Sequence, residues 1–173
     1  MKHTTTTLFE RMSVIARGNP EGVPTIPDRP PVRAISLHQP WASACFHIVD
    51  GKAAKGVETR GPNIGNTRYR GPLVIHASKR WGPAERRMLE VAREMVEGLP
   101  ATVPLGALIG MVQLVDVVPT EEVHPRIGAV ERFFGVYDAG RFAWIFAEPR
   151  PFATPIPYTG RQSFFSVPAE VLP

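Results

Sequence analysis

The stretch Lys55-Gly56-Val57-Glu58-Thr59-Arg60 decides how the rest of the chain is read. Val57 and Thr59 are β-branched, and the residues alternating with them are charged. A strand over Gly56 to Arg60 therefore points Glu58 and Arg60 to one face and Val57 and Thr59 to the other. Lys55 stands three residues before Glu58, so a regular strand turns it to the wrong face. It joins the pair only from a preceding turn or a bulge. Together a carboxylate and a guanidinium bind a base edge and a phosphate, the first accepting from amino groups and the second forking onto oxygens. A plain surface ion pair, worth about 0–1 kcal/mol, has the same spacing. If the chain is an enzyme, Lys55 and Glu58 are its candidate catalytic groups.

Upstream, Arg33 to Leu37 alternates like a half-buried strand, and Pro40 suits the first position of a helix. A helix is expected from Pro40 to about Val49, with Trp41, Ala44 and Ile48 on one stripe and Asp50-Gly51 as its end. The segment Ser36-Leu37-His38-Gln39-Pro40-Trp41 then sets polar side chains ahead of a helix start, which favours an anion. Trp41 is a stacking ring for a base or simply part of the core.

Downstream, Pro72 to Ala77 is a buried strand by its apolar run. The residues around it, Tyr69-Arg70 and His76-Ala77-Ser78-Lys79-Arg80-Trp81, interleave cations with aromatics, as single-stranded nucleic-acid sites do. His76 itself lies inside the apolar strand, where a satisfied core histidine is the plainer reading. A second helix is expected from Gly82-Pro83 to about Gly98, burying Met88, Ala92, Met95 and Leu99. Further strands are expected over Leu105 to Val118, Phe142 to Ala147 and Tyr158 to Ser166. In the last, Gly160 suggests close backbone approach and Arg161 adds charge. The order contains no regular βαβ unit. It predicts an α+β fold, a small mixed β-barrel with two main helices packed on it.

Residues 1–31 read as a Pro/Thr-rich tail, with a short helix around Leu8 to Arg17, and the domain as 32–173. The 173 residues, 43% of them apolar, suffice for one core. The net charge of +4 is unevenly spread: residues 52–93 hold ten Lys/Arg against three Asp/Glu. That cluster is the footprint of a polyanion binder, or an ordinary solvated face. No apolar run reaches the ~18–20 residues of a membrane span, and the start lacks a secretory pattern, so a cytoplasmic protein with no membrane partner is expected. The single cysteine, Cys45, falls on an apolar face, a poor place for a nucleophile. The sequence has no CxxC, HExxH, phosphate loop or G-x-S-x-G elbow, so no metal and no cofactor are expected.

The runs ISLHQPWAS, KGVETR, YRGPLVIHASKRW and YTGRQSFF, in that order, resemble the ASCH family of the PUA-like superfamily. Lys55, Glu58 and Arg60 match three fixed positions of its G-x-K-x-x-E-x-R signature. Position 53 is alanine where the family has glycine, and the nearest upstream glycine is Gly51. The resemblance implies a small barrel with a cleft for RNA, another single-stranded nucleic acid or a nucleotide. The residues expected to line it are His38, Gln39, Trp41, Lys55, Glu58, Arg60, Arg70, Ser78, Lys79 and Arg161. Two hydrolase activities are also implied. One is an amidohydrolase of acylated nucleosides using K-x-x-T, where Glu58 takes the place of the Thr. The other is a ribonuclease with Glu58, Lys55 and His38 as acid and base.

Overall fold

A computed structural model describes residues 29–173, of which Pro31–Pro173 form one compact unit. The expected tail and its short helix lie outside the described residues, apart from positions 29–31. The sheet is built from β1 (Val32–Leu37), β4 (Val57–Arg60), β5 (Gly71–Ala77), β6 (Ala107–Pro119), β7 (Phe142–Pro157) and β8 (Phe165–Val167), in the order β4-β7-β6-β5-β1-β8. Only β1 and β5 run parallel; the other neighbours are antiparallel. Among the described residues the two edges, β4 and β8, do not pair, so the sheet is open where a closed barrel was expected.

The helical content also differs from expectation. Among the described residues one long α-helix, α3 (Pro83–Met95), accompanies four short ones: α1 (Trp41–Ala44), α2 (Pro62–Gly65), α4 (Thr120–Val123) and α5 (Ala129–Phe133). Helix α1 stops after four residues because the chain turns into a hairpin, β2 (Ile48–Val49) with β3 (Lys52–Ala53). Asp50 and Gly51 form its two-residue loop with φ of 50° and 77°, the conformation an Asp-Gly type I′ turn supplies. These two residues close a hairpin; they do not end a helix. Phe46 meanwhile lies over β6 at Gly110, where an added Cβ would fall 2.5 Å from the ring.

The buried stripe of α3 is Glu85, Leu89 and Ala92, continued by Val96 and Leu99. Met95, expected inside, is 40% exposed. Buried Glu85 accepts from the Gly82 amide at 2.8 Å and pairs with Arg80 at 2.7 Å. Strand β7 runs on to Pro157 through three earlier prolines, because register shifts against β6 break the ladder there. The last strand is short, only Phe165–Val167, which leaves 158–164 as a covering segment. Among the described residues no helix is long and apolar enough to cross a membrane.

Among the described residues the largest of three core clusters packs Ile35, Leu37, Leu73, Ile75, Val112, Leu114 and Trp144. The parallel pairing of β1 with β5 has the main consequence for function. It brings both strands out at the same end, with Ser36 opposite His76 and Leu37 opposite Ala77. Two distant segments of sequence, 36–38 and 76–79, thereby line one depression.

Candidate functional site

Strand β4 places Glu58 and Arg60 side by side, as the alternation requires, and Thr59 on the opposite face, where its Oγ1 accepts from the Val136 amide at 3.0 Å. Arg60 Nε lies 3.1 Å from Glu58 Oε1, close enough to pair charges. The N–H does not aim at that oxygen, and Nε makes no hydrogen bond. The guanidinium carbon sits 5.7 Å from the centroid of the Trp144 ring. Trp144 is fixed in turn by donating to the Gly65 carbonyl at 2.7 Å and by stacking on Phe164 at 4.9 Å. Arg60 is thus held from its stem and one face. Among the described residues its terminal nitrogens have no hydrogen-bond partner.

Lys55 joins Glu58 through the irregular turn that the spacing demanded, but from beneath. Its side chain has no exposed surface, and its ammonium lies 3.1 Å from Glu58 Oε2. It donates to the Val57 carbonyl at 2.5 Å and the Phe134 carbonyl at 3.1 Å. Two carbonyls and the Glu58 carboxylate thus surround the ammonium inside the protein. Lys55 therefore fastens the turn to the Phe134 loop; the structure does not place it where a phosphate or a substrate would touch it. Glu131 completes the turn, accepting from the amides of Gly56 at 2.6 Å and Val57 at 3.1 Å. Burial raises the Glu131 carboxyl above its ordinary range, against the pull of the Gly56 amide and Lys55.

Arg60 stands where two cavities meet. One, about 590 Å³, is lined by Ser36, His38, Arg60, Lys79, Arg161 and the segment around Gly160, and its lining carries no carboxylate. The other, about 470 Å³, is walled by Trp41, Met88, Phe133 and Phe134, with Glu58 and Arg60 on its floor. Ser36, His38 and Arg60 line both. The first is suited to an anion; the second presents aromatic faces beside a carboxylate.

Of the residues expected at the cleft, His38, Trp41, Glu58, Arg60, Ser78, Lys79 and Arg161 line one lobe or the other. Gln39 does not: it is buried, donating to the Pro104 carbonyl at 2.9 Å and accepting from the Ser43 amide at 3.1 Å. Arg70 lies outside both lobes, tied to Asp116 at 3.0 Å and to the carbonyls of Thr67 and Tyr69. Helix α1 is a single turn, so the lobe of Arg60, Lys79 and Arg161 is built from strand ends and loops and not from a helix start. Burial pushes the Cys45 thiol up to about 12, so it stays protonated at neutral pH.

Several site residues carry no sequence signal for the role they take. Phe133 ends α5 and Phe134 follows it, far along the chain, and Met88 reaches the aromatic lobe from α3. His76 has both ring nitrogens occupied, one facing Ser36 Oγ at 3.0 Å and the other the Tyr158 carbonyl at 3.1 Å. It is the satisfied histidine expected of that strand, yet it also lines the anion lobe.

No family model matches the sequence, and no curated protein matches it. Among solved structures the chain is similar in fold to the ASCH protein of Zymomonas mobilis, at 17% identity over 80% of this chain and 89% of that one, with a TM-score of 0.49. Two point variants of that protein are similar too. One has 16% identity over 82% of this chain and 94% of that one, with a TM-score of 0.49. The other has 17% identity over 84% of this chain and 94% of that one, with a TM-score of 0.47.

Proposed function

We propose that the two-lobed cavity binds single-stranded nucleic acid or a nucleotide. A phosphate occupies the lobe of Arg60, Lys79 and Arg161, and a base lies in the lobe of Trp41, Phe133 and Phe134. One observation carries this reading: a cation-lined lobe without carboxylates and an aromatic lobe share Ser36, His38 and Arg60 in their walls. A phosphate and its base are joined through one sugar, so neighbouring lobes of this chemistry fit the two ends of one nucleotide. Base stacking on aromatic side chains contributes about 1–3 kcal/mol per base. Glu58 accepts from an exocyclic amino group at the boundary. Binding of this kind requires no reaction, and with Lys55 sequestered the site supports a recognition module ahead of a hydrolase.

The test is chemical-shift mapping of the 15N-labelled chain with oligouridylate and oligoadenylate. Perturbations are expected at His38, Arg60, Lys79, Thr159 and Arg161, and at Phe133 to Val136. Perturbations confined to the remaining basic surface, around Arg86 and Arg87 on α3, would overturn the assignment of this cavity.

A further inference from the structure

Ser36 and His76 are register partners on β1 and β5, and both reach the segment that covers the anion lobe. His76 Nε2 lies 3.1 Å from the Tyr158 carbonyl oxygen, which only accepts, so Nε2 carries a proton and donates it. His76 Nδ1 lies 3.0 Å from Ser36 Oγ, and Ser36 Oγ lies 3.0 Å from the Arg161 carbonyl oxygen. The hydroxyl has one proton. When His76 is neutral, Nδ1 and the Arg161 carbonyl both accept, and they compete for that proton. When His76 is protonated, Nδ1–H donates to Ser36 Oγ and Ser36 donates to Arg161, so every group in the chain is paired. The segment rests directly on the pair: a Cβ on Gly160 would lie 2.3 Å from the His76 ring and 2.5 Å from Ser36 Oγ.

We propose that Ser36 and His76 form a proton-linked clasp that positions Arg161 over the anion lobe, so that binding an anion there takes up a proton at His76. This deepens the function proposed above and rests on its anion lobe. The groups facing His76 set the sign. Lys79 follows its own strand, Arg161 comes from the covering segment, Arg60 from β4 and His38 from the end of β1, all lining the lobe with no carboxylate among them. Phe165 of β8 stands edge-on at 6.1 Å, and Leu108 of β6 is the opposite strand partner. Burial, and then the Lys79 charge, hold the His76 imidazole below its ordinary range, against the opposing pull of the Tyr158 carbonyl. An anion seated among these cations reverses the local field and favours the imidazolium. The completed hydrogen-bond chain then draws in the backbone that carries Arg161.

Histidine ring NMR of the full chain tests this, with sulfate as the probe at fixed ionic strength, because sulfate remains a dianion throughout. Sulfate is expected to raise the His76 midpoint by about one pH unit, equivalent to about tenfold tighter sulfate binding by the protonated protein. The Arg161 and Gly160 amide signals should follow the His76 titration in the wild type and in His38→Gln, and cease to follow it in Ser36→Ala. In a His38→Gln background, His76→Gln, which keeps a donor for Tyr158, should abolish the pH dependence of sulfate affinity in this range. A His76 midpoint indifferent to sulfate, or Arg161 signals that ignore the titration, would overturn the clasp. A raised midpoint together with oligonucleotides that fail to bind supports the clasp while rejecting the nucleic-acid reading.

Discussion

Arg60 lies over the Trp144 indole, 5.7 Å from ring centroid to guanidinium carbon, and that indole is pinned by Gly65 and Phe164. A long cationic side chain is thereby ordered before any ligand arrives, which lowers the entropy cost of using it. The aromatic support and the Glu58 partner hold a side chain that lines both lobes.

Beneath that junction, Lys55 is a fastener. Lys55→Met removes donors from two carbonyls and a counter-charge from Glu58, so it should cost about 3 kcal/mol or more in unfolding free energy. Urea denaturation measures this. A loss under 1 kcal/mol would show that the buried ammonium is not holding the turn.

Glu131 fixes the same turn from the other side. Glu131→Ala strips two amides of their acceptor and should destabilise by about 2–3 kcal/mol, whereas Glu131→Gln keeps one oxygen for them and should cost less than half as much. Equal losses for the two variants, read by thermal melts, would contradict the assignment.

The aromatic lobe should discriminate nucleotides from bare anions. Phe133→Ala and Trp41→Ala should each weaken oligonucleotide binding by about 5- to 100-fold, in line with 1–3 kcal/mol per stacked base. Calorimetric titration with oligouridylate decides it, and unchanged affinity in both variants would remove bases from that lobe.

His76 makes stability depend on pH. Its folded pKa is depressed and its unfolded value is about 6.5, so the unfolded chain binds the proton more readily. Stability of the ligand-free protein is therefore full above about pH 6.5 and falls as pH drops through the lower folded value. His76→Gln should flatten that decline. A wild-type stability that rises on acidification across this window would contradict the depressed imidazole.

Much of the fold was legible because period-two patterning and apolar runs report burial directly. Strands β1 and β5, and the shared face of Glu58 and Arg60, follow from it. The hairpin at Asp50-Gly51 carried its signal in plain sight, but the apolar stripe from Trp41 to Ile48 spoke for a longer helix, and turn chemistry prevailed over periodicity. The prolines of β7 disguised a 16-residue strand, since bulges relieve prolines of the ladder they cannot join. In the site, Arg60, Lys79 and Arg161 were visible as cations in motifs. Lys55 was placed at the right position and given the wrong surroundings, because lysine is almost never fully buried unless paired. Phe133, Phe134 and Glu131 were invisible, since only tertiary contacts bring that short helix against β4.

The central claim is that Arg60 binds a nucleic-acid phosphate at the meeting point of the lobes, and salt dependence tests it most directly. Affinity of the wild type and of Arg60→Ala for a single-stranded oligonucleotide should be measured by fluorescence anisotropy across a salt series. The wild type should show log affinity falling linearly with log salt, and Arg60→Ala should bind at least about tenfold more weakly with a slope shallower by about 0.7. Wild-type affinity that is absent, or equal and parallel lines for the two proteins, would contradict it.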